Sequence, residues 1–439
     1  VVKGTARVRA FCAVDVQATT LASRSRGENA MVRVAIQGDI GQQVYHVGDE
    51  AMVHAAVEQL KRRGICSVVL LTRDPAQTRV HFGAELDAAP TLVFPWPPVD
   101  RERYLGEIKA VLAGDTGVLP PHDQVFGVIE TLRQVDALFI AGGGNMNSRY
   151  GWLLYERAAM AHIAARLGKR VVIGGQTLGP ELSETDRDTL AELLRLGSLV
   201  GLREDHSLRL ARDLVPGHAG LRSVLDDASD LPDPEPPIEP RTDRTIAATF
   251  SPPDEDVPSP AAAEAYARLL DAVAVSMDAT VRFLPHMSTV GKGDGDEAFH
   301  AQIAERLGAR AELAPIRSAL STAALTRQAA AVVTSRYHPV VFACAAGIPA
   351  VAVAPDEYTR VRLSGALQRF GRRQAVPSLT DLLSSDSVVP SWLAPLAQPP
   401  TAPAPAILAA QSKWWDDVVT ALATARGRRR WRGWPWRGR

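Results

Sequence analysis

Short runs of β-branched and aliphatic residues alternate along this chain with longer stretches of helical spacing, and that alternation restricts its architecture most. Val32–Ile36, Ser67–Leu71, Ala137–Ile140, Val171–Ile173 and Leu199–Leu202 read as buried strands. Glu50–Arg63 and Trp152–Leu167 read as the helices between them. Strand and helix in turn predict a parallel sheet covered by helices on both faces. The alternation stops at Asp230–Arg244, DLPDPEPPIEPRTDR, where proline removes ladder donors and favours an extended connection. It restarts with strand Thr245–Phe250, helix Ala261–Met277, strand Thr280–Leu284, helix Asp296–Leu307, strand Ala331–Thr334, a helix from Pro339 and strand Ala350–Val353. The expected class is α/β, with two halves whose parallel sheets face a central cleft.

A chain of 439 residues exceeds the ~250–300 at which a single core stops growing, so two domains are expected. Their bounds are 31–229 and 245–389, with 230–244 as the linker. Residues 390–425 form a Pro/Ala-rich segment leading into a terminal helix, Ala406–Ala425, and 426–439 a basic tail, RGRRRWRGWPWRGR. Residues 1–30 precede the first strand pattern, so either Met31 is the native start or these residues are a mobile arm.

Lys plus Arg equals Asp plus Glu at 49 each, a balance that speaks against nucleic acid as the main partner. The tail alone is strongly basic, and reads either as a solvated end or as a peripheral contact with an anionic membrane. Cys12, Cys66 and Cys344 are widely spaced, so neither a zinc site nor a disulfide framework is expected and a reducing cytoplasm fits. The most apolar uncharged run, Pro339–Pro355, is shorter than the ~20 residues of a membrane span.

In open parallel sheets, ligands bind beyond the carboxyl ends of the strands, where helix N-termini present unpaired N–H groups. Unusual residues collect there. After Ala137–Ile140 come Gly142, Gly143, Gly144 and Asn145, suited either to a tight turn or to close approach of backbone to a ligand. The spacing is not G-x-G-x-x-G, so nicotinamide binding has little support. Gly174–Pro180, GGQTLGP, reads as a second glycine-rich loop. Asp49 and Glu50 open a helix, where Asp49 is either an N-cap or a contact for a substrate hydroxyl. Arg203 ends a strand beside Glu204, either paired locally or presented to an anion. In Val333–Gly347, VTSRYHPVVFACAAG, a strand ends at Ser335, and Arg336 and His338 emerge before a helix whose first residue is expected to be Pro339. A guanidinium and an imidazole thus stand at a helix mouth that already attracts negative charge. His286, in FLPHMS, is a weaker version of this arrangement.

In order, the matching pieces are GDEAM at Gly48–Met52, AGGGN at Ala141–Asn145, the Gly174–Pro180 loop and Arg203-Glu204-x-x-Ser207. LPH at Leu284–His286 with Asp296, then SRYHP at Ser335–Pro339 and GIP at Gly347–Pro349, complete the set. Together they resemble the polysaccharide pyruvyl transferase family. The resemblance implies a GT-B-like pair of Rossmann-like domains. It also implies transfer of the pyruvyl group of phosphoenolpyruvate to sugar hydroxyls of a glycan or lipid-linked precursor, forming a cyclic ketal. It puts Arg203, Arg336 and His338 at the donor; Gly142, Gly143, Gly144, Asn145, Ser335 and His286, by their places at strand ends, are the further candidate substrate contacts. A phosphate and a carboxylate a few bonds apart need at least two cationic or N–H-rich anchors, each contributing ~1.5–3 kcal/mol. Arg203 from one half and Arg336 from the other are the expected pair. His338 has the unperturbed range for proton transfer near neutrality, and Asp49 or Glu50 is the expected base. No cofactor beyond the donor substrate and no metal is expected.

The ends have no counterpart in the family, and the acidic APDEY at Ala354–Tyr358 with Arg360 departs from its usual lysine-containing loop. The alternatives are a GT-B glycosyltransferase or sugar-nucleotide epimerase, and a non-catalytic membrane-surface protein acting through its tail. The expected location is cytoplasmic, at most at the inner face of the membrane.

Overall fold

The computed structural model describes residues 32–239, 244–385 and 387–424. The expected N-terminal arm and basic tail, and the membrane contact assigned to that tail, lie outside the described residues.

The first-half strands are β1 Arg33–Gln37, β2 Val44–His46, β3 Ser67–Thr72, β4 Asp87–Pro90, β5 Ala137–Ile140, β6 Gly143–Met146, β7 Arg170–Leu178, β8 Leu199–Leu202 and β9 Leu221–Ser223. The second half adds β10 Thr245–Thr249, β11 Thr280–Phe283, β12 Met287–Thr289, β13 Ala311–Leu313, β14 Ala331–Thr334 and β15 Ala350–Ala352. The central strands are apolar at successive positions, as in β5, ALFI, because helices cover both faces of each sheet.

The first sheet runs β4-β3-β1-β5-β7-β8-β9, with β6 added against β7, and all its pairs are parallel. The second runs β13-β11-β10-β14-β15, also parallel throughout. In each sheet the strand order reverses beside the first strand, between β1 and β5 and between β10 and β14. Crevices open at such reversals because the two adjoining loops diverge.

Two features tie the halves together. β2 and β12 form an antiparallel ribbon, one strand from each half, with His46 opposite Met287. The terminal helix, Pro405–Ala423, returns to the first half, where Trp414 and Trp415 join the core containing Val34 and Phe139. The Trp415 indole N–H and the Gln411 amide donate to Asp230 at 2.8 and 2.9 Å, fixing that helix to the start of the connection between the sheets.

Most expected strands stand within a residue or two of their observed bounds. Two expectations change. Gly174–Leu178 belongs to β7 rather than to a loop. Side chains at Gly174 and Gly175 would strike the Asp227 carboxylate and the Leu225 carbonyl, so these glycines serve close packing. The helix expected from Pro339 begins at Tyr337. No helix among the described residues is long and apolar enough to cross a membrane.

Candidate functional site

A cavity of about 190 Å³ lies where the two crevices meet. From the first half it takes Asp39 beyond β1, His46 and Asp49 around the start of α1 (Val47–Arg62), and Gly144 and Asn145 of β6. From the second half it takes His286 between β11 and β12, and Arg336, Tyr337 and His338 beyond β14. Tyr358 and Arg362, on the helix Glu357–Arg369, close one side.

Arg336 reaches the cavity as expected, but not unpaired. Its Nε donates to Asp296 Oδ2 at 3.2 Å, and its Nη2 to Oδ1 of the same carboxylate. Asp296 also accepts the backbone N–H groups of His286 and Met287, each at 3.0 Å, so one acid organises both loops. The Arg336 side chain keeps 25% of its surface accessible.

Arg203 does not reach the cavity. Its side chain is fully buried and paired with Asp226 and Glu204, and its Nε also donates to Thr177 Oγ1 at 2.9 Å. It is fully buried, its two ion pairs are internal and it stands outside the cavity lining, so its assignment to the donor is corrected. What it does is structural: its Cζ lies 4.3 Å from the centre of the Tyr337 ring.

The second cation of the cavity is Arg362, which the sequence reading missed. It has no carboxylate partner among the described residues, and its buried Nε has no hydrogen bond. Its guanidinium carbon lies 4.6 Å from the Tyr337 ring centre and 4.8 Å from that of Tyr358. Ring faces attract a cation without neutralising it, so Arg362 is held in place yet remains electrostatically available. Only its position two residues beyond Arg360, whose pair with Glu357 is exposed, hinted at a role, since Glu357-x-x-Arg360 uses the outer helix face.

His286 and His338 both line the cavity, and the Nε2 of each lacks a hydrogen bond. Burial pushes the His338 imidazole down to about 4, with Asp226 opposing this and Arg203 reinforcing it. Burial likewise lowers His286 well below the ordinary range. Both shifts favour the neutral ring at neutral pH, so His338 departs from the unperturbed range on which its expected role rested.

His46 and Asp49 form a pair, Nδ1 to Oδ2 at 3.3 Å. Burial opposes charge on both, but their hydrogen bond and mutual attraction prevail, raising His46 and lowering Asp49. Asp49 therefore faces the cavity rather than capping its helix. Glu50 turns inward, buried, and accepts from Gly41 N–H at 3.4 Å; burial pushes it up to about 8. It stands outside the cavity lining, and its assignment as base is corrected.

The glycine run divides. Gly142 N–H donates to the buried Asp227 at 2.8 Å, and a side chain there would strike the Gly175 carbonyl. Gly143 packs beside Gln176, so both glycines serve the junction of β5, β6 and β7. Gly144 and Asn145 do line the cavity, and a side chain at Gly144 would collide with Tyr358 and Arg362. Ser335 accepts from Ser251 N–H at 3.0 Å and stands outside the lining.

Asp39, His46 and Asp49 bring one ligand atom each within 4.8 Å of one another, a set able to hold a divalent cation. Each is already partnered within the chain, Asp49 by His46 and Asp39 by Arg73 at 3.7 Å.

Among solved structures, the fold resembles a putative UDP-N-acetylglucosamine 2-epimerase from Listeria monocytogenes, with TM-score 0.54 and 11% identity over 90% of this chain and 96% of that one. It also resembles the UDP-GlcNAc 2-epimerase of Methanocaldococcus jannaschii, with TM-score 0.54 and 10% identity over 89% and 99%. The Neisseria meningitidis enzyme, solved bound to UDP-GlcNAc, has TM-score 0.53 and 9% identity over 89% and 99%. At these identities the likeness is one of fold, a GT-B-like pair of Rossmann-like domains. No curated protein matches the chain. The sequence model described as Polysaccharide pyruvyl transferase matches residues 46–357, a span that runs from the His46–Asp49 pair to the edge of the helix carrying Arg362. The chain therefore belongs to the polysaccharide pyruvyl transferase family.

Proposed function

We propose that the protein transfers the pyruvyl group of phosphoenolpyruvate to two hydroxyls of a sugar, on a glycan or its lipid-linked precursor, and releases phosphate. The carrying observation is that Arg336 and Arg362 line one small cavity together with two neutral imidazoles whose Nε2 atoms make no hydrogen bond. Phosphoenolpyruvate carries its two anionic groups on adjacent parts of a three-carbon frame. Two guanidiniums match them, each charge-assisted bond contributing about 1.5–3 kcal/mol.

Ketal formation adds a proton to the enol methylene and joins one sugar oxygen to the central carbon. The second sugar oxygen then displaces phosphate by breaking the carbon–oxygen bond. Of the two protons leaving the hydroxyls, one ends on the methyl group and the other on phosphate. Asp49, kept ionised beside His46, is the base for the acceptor hydroxyl. A bound anion beside His338 raises its proton affinity, so donor binding itself prepares that imidazole to carry a proton. Arg203 acts from behind, holding Tyr337 and Asp226, the latter 3.8 Å from His338 Nε2.

In this reading residues 31–229 and 245–389 are two domains that contribute one wall each, and the reaction is cytoplasmic. The tail would meet acidic head groups at the inner membrane face.

The test is phosphate release from phosphoenolpyruvate in the presence of a cell-derived glycan pool, with the added pyruvate ketal detected by mass. Phosphate release with ketal formation is expected, together with thermal stabilisation by phosphoenolpyruvate. Stabilisation by UDP- or GDP-sugars alone, with no phosphate released, overturns the reading in favour of a nucleotide-sugar enzyme.

A further inference from the structure

Beyond the cavity, the surface carries an aromatic feature that core packing does not explain. The segment after β4, Leu92–Pro98, turns Leu92 and Phe94 inward and leaves Trp96 with 69% of its surface accessible. The Trp96 ring lies parallel to that of Trp152, with centroids 4.1 Å apart and planes at 10°. Trp152 meets Tyr150 edge-on at 5.7 Å, and Tyr150 leans on Tyr358 at 5.9 Å. Tyr150 and Tyr358 both line the cavity. Four rings thus run without a break from the cavity wall to open surface.

The platform is supported rather than loose. Arg101 donates from Nη1 to the Trp96 carbonyl at 3.1 Å and is itself buried against Asp186 at 3.2 Å. Beside the inner end of the track stands a polar cluster drawn from both halves. Arg149 pairs with Asp356 at 2.8 Å and Asp254 at 3.5 Å, and its guanidinium carbon lies 5.9 Å from the Tyr150 and Tyr358 ring centres.

An exposed indole at the outer end of the track, with the Arg149 cluster beside the tyrosines at its inner end, matches a chain of pyranoses. The axial C–H groups of the sugar lie on the π surface, while its equatorial hydroxyls reach the polar cluster. A protein or lipid partner would instead draw on Val93 of this segment and Val99 in the helix that follows it, which are 52% and 73% exposed. Continuity with the cavity favours the sugar, because an acceptor delivering one residue to the cavity must lay its neighbours somewhere adjoining.

We propose that the Trp96–Trp152–Tyr150 track is the subsite for sugar residues of the acceptor flanking the one whose hydroxyls enter the cavity. The inference rests on the pyruvyl-transfer reading for the acceptor being a glycan.

The test uses the full chain and two probes: a printed array of galactose-, glucose- and mannose-containing oligosaccharides, and phosphoenolpyruvate in a thermal shift. Retention of array glycans by the wild type is expected to weaken by roughly tenfold or more in Trp96→Ala, less in Trp96→Phe, while the phosphoenolpyruvate shift persists. Absence of glycan retention by the wild type, or equal retention by Trp96→Ala, overturns the subsite. Equal loss in the Val93→Ser/Val99→Ser variant overturns it too, by pointing to an aliphatic docking patch. Failure of the pyruvyl-transfer reading is distinct: the wild type then shows no phosphoenolpyruvate shift, whatever the array shows.

Discussion

The imidazole of His338 lies against the α-carbon of Gly48 so closely that a Cβ at position 48 would come within 1.8 Å of Nδ1. Gly48 belongs to the first turn of α1 and His338 to the first turn of the helix Tyr337–Ala345, so the two halves meet here through a glycine and a ring. Gly48→Ala must push the imidazole out of place. Turnover is expected to fall by about 100-fold, with a stability loss of about 1–3 kcal/mol. Adding His338→Ala should restore stability but not turnover, a double-mutant cycle read by thermal melts and phosphate release. Wild-type turnover in Gly48→Ala would contradict a role for this contact.

Arg203 and Arg362 separate support from binding. Arg203→Ala leaves Asp226 and Glu204 buried without their ion-pair partner and should cost about 3–5 kcal/mol of stability. Arg362→Ala breaks no ion pair, so the melt should change little. The KM for phosphoenolpyruvate, however, should rise by roughly 10- to 100-fold. The reverse pattern would return Arg203 to the donor site.

Arg336 does both jobs. Arg336→Ala should destabilise by about 1–3 kcal/mol, because Asp296 keeps only backbone donors, and should also abolish phosphate release. Arg336→Lys should recover much of the stability but little of the activity, since an ammonium cannot hold Asp296 through two nitrogens. Chemical denaturation and single-turnover phosphate release distinguish the two effects.

Two buried groups make stability depend on pH in opposite senses. Burial pushes His300 down to about 4, and its Nε2 accepts from Phe250 N–H at 2.9 Å, an acceptor role that protonation removes. The unfolded chain binds that proton first, so this contribution is complete above about 6.5 and is lost as pH falls towards 4, by about 3 kcal/mol. Glu50, pushed up to about 8, holds its proton in the folded state, so its contribution is complete below 4.5 and is lost as pH rises towards 8. In urea titrations, the stability of His300→Gln relative to wild type should improve as pH falls from 6.5 to 4. That of Glu50→Gln should improve as pH rises from 4.5 to 8. Glu50→Gln should keep its turnover, and loss of turnover would restore Glu50 as the base.

The sequence by itself determined the order of the elements and the loops that carry chemistry. β14 and the helix Asp296–Leu307 fall on their expected bounds, because a short buried strand and a helix opened by two acids are local patterns. It also singled out Asp49, Gly144, Asn145, His286, Arg336 and His338, all of which line the cavity. Only the tertiary structure decided which charges are spent and which are available. Arg203 and Arg362 are equally basic in the sequence. One is enclosed by Asp226 and Glu204, and the other stands over two tyrosine rings. That difference depends on carboxylates and rings brought up from remote segments, as does the drop of His338 to about 4 on burial. Burial and ion pairing are properties of the packed neighbourhood, and a linear pattern does not encode them.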